Sequence, residues 1–332
     1  MKKKAGFWRA RGGWAAWVTA LVLASLLAAC GPKVPPASTP SANTPATTTA
    51  ASEAQASEAA YPVTVQDDLG QELTFDQAPQ RIVPFVPSAT DIVLALGLKD
   101  RIVAVDKWSA GQYKDVQGLP AMDSYNVDYE KLEALKPDLI LTLPGQYLDK
   151  MRQLGLKVFV LQPADVQGVY RDFETLGRVT GTKAQAEKVI EELKAGIEPV
   201  EKAVAAIPAE KRVKVYYESW NDPIYSAGPG SFVDGLIREA GGVNVLADAK
   251  QPWPSPSAEE VIQRAPDVII GPASNTSLKD LQAGKRPGWG SVPAVKNGRV
   301  YILDDALLSQ PDTHIDDAIH ALAHDFYPDV VK

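Results

Sequence analysis

From Tyr61 onward the apolar positions alternate between two periods. Val63-Thr64-Val65 and Glu72-Leu73-Thr74-Phe75 alternate as strands do and flank Asp67-Asp68-Leu69-Gly70, which predicts a hairpin. The pattern then predicts a strand over 81–86, a helix over 88–97 and a strand over 101–105. A helix over 129–135, a strand over 139–141, a helix over 148–154 and a strand over 158–160 follow. Continuous apolar strands separated by helices predict a parallel sheet covered on both faces. Next, Val189, Leu193, Ile197, Val200, Val204 and Ile207 recur at steps of four and three, the stripe of one long helix. Thr182 and Gln185 have the spacing of a capping box at its start, and Pro199 should kink or split it.

After Lys211 the pattern repeats. Glu130-Lys131-Leu132-Glu133-Ala134-Leu135-Lys136-Pro137-Asp138-Leu139-Ile140 matches Glu259-Glu260-Val261-Ile262-Gln263-Arg264-Ala265-Pro266-Asp267-Val268-Ile269. In both, a glutamate stands seven residues before Pro-Asp and an apolar strand follows. Segment 88–97 parallels 231–241, and 155–160 parallels 298–303, in the same order. The expected fold is α/β: two similar Rossmann-like lobes, 61–180 and 211–332, joined by a long rigid helix within 181–210, with a ligand cleft between them. In α/β sheets ligands bind beyond the carboxyl ends of the strands, and two facing lobes bring those ends into one cleft.

The N-terminal part has a different character. Lys2, Lys3, Lys4, Arg9 and Arg11 precede an uncharged run from Trp14 to Ala29, and Cys30, the single cysteine, closes it. This predicts a signal peptide over 1–29. It resembles a bacterial lipoprotein signal, in which Cys30 carries lipid and becomes the mature N-terminus. Residues 30–60 then form a lipid-anchored linker rich in Ala, Pro, Ser and Thr, with a root-mean-square span of ~30 Å. One cysteine permits no intrachain disulfide. Removing the five basic residues of the leader from 34 leaves 29 Lys and Arg against 41 Asp and Glu, a net charge of −12. That balance opposes nucleic-acid binding and attraction to anionic lipid, so the lipid itself must hold the protein to the membrane.

Several segments carry a family likeness. They are Arg81-Ile82-Val83, Pro87-Ser88-Ala89-Thr90-Asp91-Ile92, Ala95-Leu96-Gly97, Leu135-Lys136-Pro137-Asp138-Leu139-Ile140, Ala227-Gly228-Pro229-Gly230-Ser231-Phe232 and Ala240-Gly241-Gly242. Together they resemble the binding proteins for iron complexes and vitamin B12 that serve ABC importers. Trp253-Pro254-x-x-Ser257-x-Glu259 resembles the vitamin B12 branch. The resemblance covers nearly all of 61–332. It implies a monomeric substrate-binding lipoprotein, with no cofactor of its own, that hands its cargo to a permease dimer and its ATPase. The implied cargo is a corrinoid, with a ferric siderophore or haem as alternatives. In the vitamin B12 system the glutamates matching Glu130 and Glu259 meet arginines of the permease.

Ser88, at the start of the helix expected over 88–97, and Trp108, Tyr125, Trp220 and Trp253, on loops expected at the cleft, are the candidate ligand-facing residues. Large rings suit a wide planar macrocycle. No Lys or Arg cluster stands on these loops, although Lys107 adjoins Trp108. His320 and His324 share a helical face opposite Ile315, Ile319, Leu322 and Phe326, which reads as a solvated face, while His314 stands where it could reach the cleft. The first lobe has no histidine, which argues against a bare-metal site drawing on both lobes. Gly228-Pro229-Gly230-Ser231 is not followed by the Lys-Ser/Thr of a phosphate loop, and no nucleophile elbow precedes a helix. Catalysis is therefore not expected, and the rival outside transport is a tethered sensor or adhesion module.

Overall fold

The computed structural model describes residues 60–331. The first lobe opens with an antiparallel hairpin, β1 (Val63–Gln66) and β2 (Glu72–Phe75). Then come β3 (Ile82–Pro84), α1 (Pro87–Ala95), β4 (Val105–Asp106), α2 (Lys107–Gln112), β5 (Ala121–Met122) and α3 (Tyr129–Ala134). They are followed by β6 (Leu139–Thr142), α4 (Leu148–Gln153), β7 (Val158–Val160) and α5 (Val166–Thr180). The linking helix is α6 (Lys183–Ala205). The second lobe comprises β8 (Lys214–Tyr217), the short hairpin β9 (Trp220–Asn221) and β10 (Ile224–Tyr225), α7 (Phe232–Glu239), β11 (Val243–Asn244) and α8 (Ala258–Arg264). It ends with β12 (Val268–Pro272), α9 (Leu278–Gln282), α10 (Pro293–Lys296), β13 (Val300–Leu303), α11 (Asp305–Ser309) and α12 (Ile315–Phe326).

Each lobe is built on a parallel sheet, in the order β3-β6-β7 in the first and β11-β8-β12-β13 in the second. The strand expected over 101–105 is shorter than its apolar run. Ile102 makes a single bridge to Ile82, and the chain then turns away so that Val105 and Asp106 pair with β5.

The repeat has a structural cause. Lys136 and Ala265, each directly before proline, take left-handed φ values of 47° and 48°. A following proline disfavours the helical region, so each helix ends there. The next residue, aspartate, then secures the neighbouring strand. Asp138 accepts from the N–H groups of Gln80 and Arg81 at 2.7 and 2.8 Å, and Asp267 accepts from that of Lys214 at 2.9 Å. The basic residue opening that strand returns the contact: Arg81 donates to the Leu135 carbonyl and Lys214 to that of Arg264. Pro-Asp is thus a helix-to-strand fastening used once per lobe, and neither preceding glutamate takes part in it.

α5, which the apolar pattern did not predict, precedes the linking helix and ends at Gly181, which takes φ 75°. The capping box does not form. With only a two-residue turn between helices, Thr182 cannot adopt the extended backbone of an N-cap. Its hydroxyl pairs with that of Thr180 at 2.8 Å, and the Gln185 amide donates to the Ala95 carbonyl on α1. α6 runs unbroken through Pro199. The proline removes one helical hydrogen bond, and α12 supports that turn: His320 Nε2 lies 2.9 Å from the Gly196 carbonyl. Gly196 permits this approach, since a Cβ there would collide with the Asp316 side chain. His320 is therefore half-buried and engaged, not part of a solvated face.

One apolar core runs from Val63 through α5, α6, α7 and α12 to Val331 and so joins both lobes. Two smaller clusters fill the outer faces of the sheets, one around Val83, Phe85, Leu132 and Ile140, the other around Tyr216, Val261, Ile269 and Trp289. The expected α6 stripe is buried from Val189 to Val204 within the shared core. Each such side chain contributes roughly 1.5–3 kcal/mol to holding α6 in this core.

Candidate ligand cleft

A cavity of about 350 Å³ opens between the lobes at the carboxyl ends of β6, β7 and β8. The first lobe supplies Leu143, Pro144, Gln162 and Pro163 from the turns after β6 and β7. The second supplies Tyr217 at the end of β8, the start of α7, Trp253, the end of α11 and Pro311 just after it. No Lys, Arg, His, Asp or Glu lines it. Its polar groups are the Gln162 amide, the Tyr217 hydroxyl and the hydroxyls of Ser231 and Ser309. The two serines are committed elsewhere. Ser231 caps α7, accepting from Asp234 N–H and donating to the Gly228 carbonyl, and Ser309 donates to the Asp305 carbonyl. Tyr217 has no hydrogen-bond partner for its hydroxyl among the described residues. Burial, then the charge of Asp305, pushes its phenol up, so it stays a protonated donor.

The β1–β2 hairpin braces the Gln162 turn. Asp68 accepts from Gln162 N–H and donates its own N–H to the Val160 carbonyl. Buried Asp67 accepts from Leu69, Gln71 and Val160 N–H and pairs with Arg152 at 3.2 Å. Behind Tyr217 lies a buried ion pair. Glu218 accepts both Arg286 amino groups at 2.8 Å, with further bonds from Tyr216 and Asn275. The Arg286 guanidinium rests 5.1 Å from the Trp289 ring centroid. This network fastens the end of β8 to the 275–289 segment.

Of the five residues expected to face ligand, Trp253 lines the cavity and is 47 % exposed. Trp108 and Tyr125, 57 % and 75 % exposed, stand outside the lining on the first lobe. Lys107 Nζ lies 5.6 and 5.8 Å from their two ring centroids. Buried Asp106 caps α2 by accepting from the N–H groups of Trp108 and Ser109. Lys107, followed by the N–H groups of Tyr125 and Asn126, holds the Asp123 carboxyl down at about 2. Trp220 is an exposed cross-strand neighbour of Tyr225 in the β9–β10 hairpin, which is tied through Ser226 N–H to the Pro254 carbonyl beside Trp253. Ser88 is corrected: it is 3 % exposed in the first turn of α1 and outside the lining, because α1 starts immediately at Pro87 and turns it inward. His314 contacts Asp91 and Asp317 at 3.7 Å and is not a lining residue, whereas His324 is exposed beside Asp325.

Gln162 and Tyr217 were missed by sequence reasoning, which looked for large rings past the strands. The available signal was position, since Tyr217 ends the first strand of the second lobe and Gln162 follows the last of the first.

Glu130 and Glu259 are both exposed and both the second residue of a helix, α3 capped by Asp128 and α8 capped by Ser257. Each helix ends beside the start of a parallel strand, Leu135 at Arg81 just before β3 and Arg264 at Lys214 of β8. Its start therefore lies on the side where that strand ends, the cleft side.

Two lobes with parallel sheets, a stiff linking helix and a cleft at the strand ends define a two-lobed ligand-binding protein. The chain belongs to the periplasmic binding protein family, which it matches over residues 82–307. It is 28% identical over 340 residues, spanning 100% of both chains, to the ABC transporter substrate-binding lipoprotein YvrC of Bacillus subtilis. It is 29% identical over 283 residues to a cobalamin-binding protein of Halobacterium salinarum, covering 81% of this chain and 75% of that one. Among solved structures, a possible iron-binding (periplasmic solute-binding) protein from Staphylococcus epidermidis superposes with a TM-score of 0.64 at 28% identity, covering 76% of this chain and all of that one.

Proposed function

We propose that this chain is the extracytoplasmic substrate-binding lipoprotein of an ABC importer and that its cargo is a corrinoid. The observation that carries the ligand is the uncharged cavity between the lobes, walled by Trp253 and supplied with one amide and one free hydroxyl. A corrinoid has a broad ring with a periphery of neutral amides. Gln162 and Tyr217 can exchange hydrogen bonds with such amides, and Trp253 can cover the ring face. A corrinoid exceeds the cavity, and Trp108, Tyr125 and Trp220, exposed and outside the lining, are the further rings available to it. An anionic iron complex asks for arginine or lysine in the lining, which has neither. Haem asks for an axial donor, and the lining holds no histidine, cysteine or methionine and a single tyrosine, Tyr217. The names of the relatives in Bacillus and Halobacterium support the transport role and the cobalamin class respectively.

The full chain incubated with cobalamin, haem or a ferric hydroxamate and then desalted is expected to retain the cobalamin spectrum alone. Trp253→Ala should weaken that binding by ~1.5–3 kcal/mol in calorimetry, the scale for one large buried side chain. Retention of the hydroxamate, with cobalamin silent at millimolar concentration, overturns the ligand assignment.

The anchor rests on Cys30, which lies outside the described residues. Cys30→Ala is expected to abolish fatty-acid labelling and partition into detergent. Equal labelling of the variant and the unaltered chain removes the anchor. Glu130 and Glu259 complete the reading as docking carboxylates for a symmetric permease, one from each lobe.

A further inference from the structure

The lobes also meet where the loop between α11 and α12 lies against α1. Asp91 of α1 receives two hydrogen bonds from Thr313 of the second lobe, from its N–H at 3.1 Å and from its hydroxyl at 2.6 Å. Asp312, one residue earlier, is buried and accepts the His314 N–H at 2.9 Å. Two carboxyl groups, one from each lobe, thus share a buried junction. The other titratable groups around them come from three elements. Tyr113, in the turn after α2, donates its hydroxyl to the Pro87 carbonyl at 3.2 Å. Asp106, at the end of β4, adds its charge to the field at Tyr113. His314 and Asp317 stand at the start of α12, with the imidazole 3.7 Å from both Asp91 and Asp317. His314 is largely exposed, and among the described residues no lysine or arginine pairs with Asp91 or Asp312. A buried carboxyl pair without a firm counter-ion favours holding one proton.

We propose that Asp91, Asp312, Thr313 and His314 form a proton-operated clasp between the lobes, closed when the Asp312 carboxyl is protonated and loosened when it ionises beside Asp91. Burial, then the charge of Asp91, pushes the Asp312 carboxyl up to about 7. The Tyr113 phenol is pushed up as well, by burial and then by these carboxylates. A carboxyl raised in the closed state binds its proton more tightly there than when open. The clasp is therefore tightest near the ordinary carboxylate range, about pH 4, and weakens as pH rises to about 7. Above that both states are ionised, and closure no longer depends on this group. Within the window each pH unit changes the closing equilibrium by up to about tenfold. Pro311, the residue before Asp312, lines the cavity, so the clasp and the cavity wall share one loop.

The test compares the full chain with Asp312→Asn, which keeps the acceptor for His314 N–H but cannot ionise. The melting temperature of the variant should equal that of the unaltered chain near pH 4.5, then exceed it by a margin that grows to about pH 7.5 and stays constant beyond. Hydrogen exchange supplies the interlobe readout. At pH 8 the amides of both 310–316 and α1 should be at least about tenfold more protected in the variant, one decade per pH unit of the window. Parallel melting profiles, or a response in 310–316 without one in α1, overturn the clasp. If Asp312→Asn does not fold, Asp91→Asn replaces it. Removing that charge should make the decline in stability between pH 4 and 7 shallower than in the unaltered chain, and an equal slope overturns the proposal.

Discussion

Arg286→Ala is expected to destabilise the protein by about 3–5 kcal/mol, the scale for removing one partner of a buried ion pair. Glu218 has no exposed side-chain surface and Arg286 has 11 %. The substitution leaves the carboxylate with only the weaker bonds from Tyr216, Asn275 and Ser277 and removes the guanidinium from the face of Trp289. Denaturant midpoints at constant slope measure the loss. Replacing both partners together, as Glu218→Gln with Arg286→Met, should recover much of it, because an apolar neighbour tolerates a neutral amide better than a stranded charge. A loss below about 1 kcal/mol in Arg286→Ala would mean that the pair behaves like a surface bridge and that the end of β8 is held by other contacts. The consequence reaches the cavity, because Tyr217 is the residue next to Glu218.

Reversing both Glu130 and Glu259 to lysine is expected to abolish uptake and permease association while ligand affinity changes by less than about twofold, well inside the 1.4 kcal/mol that one decade represents. Capping by a first-turn carboxylate is worth ~0.3–1 kcal/mol and leaves the fold intact when lost. Asp128 and Ser257 already cap the two helices through Lys131 and Glu260 N–H, so neither glutamate is needed for that purpose. Both are exposed and occupy the same helical position on the cleft side of each lobe, which suits a partner with two-fold symmetry. Single reversals should reduce association rate with a strong dependence on salt, since matched charges guide encounter and orientation. Normal transport by the double variant would leave these residues as surface carboxylates at helix starts.

The α6 stripe was legible because a helix that buries one face repeats its apolar residues with the helical period, and Val189 to Val204 do so. The internal repeat was legible because each lobe uses the same local chemistry: a helix stopped at the residue before proline, then an aspartate that ties the neighbouring strand. The capping box failed for a reason local spacing does not contain. Thr182 and Gln185 have the right separation, but the two-residue turn after α5 denies Thr182 its backbone geometry and brings Gln185 against Ala95. The histidine pair failed similarly. Helical spacing placed His320 on a polar face, and only the arrival of α12 on α6 at Gly196 turned that face into a contact.

The candidate site was legible as a region and only partly as residues. Loops at strand ends do line the cavity, and Trp253 is in its wall. Ring size alone could not separate Trp253 from Trp108 or Tyr125, which stand outside the lining, and it passed over Gln162 and Tyr217. By itself the sequence determined the alternation of strand and helix, the two-lobed repeat, the stripe of the linking helix and the exposed glutamates at matched helix starts. These follow from period, turn chemistry and spacing within about a dozen residues. Tertiary structure alone decided the cavity wall, the pairing of Glu218 with Arg286 and the meeting of Asp91 with Asp312 and Thr313. Each joins residues dozens to hundreds of positions apart, and their charge and hydrogen-bonding states follow from burial that exists only once the lobes have packed.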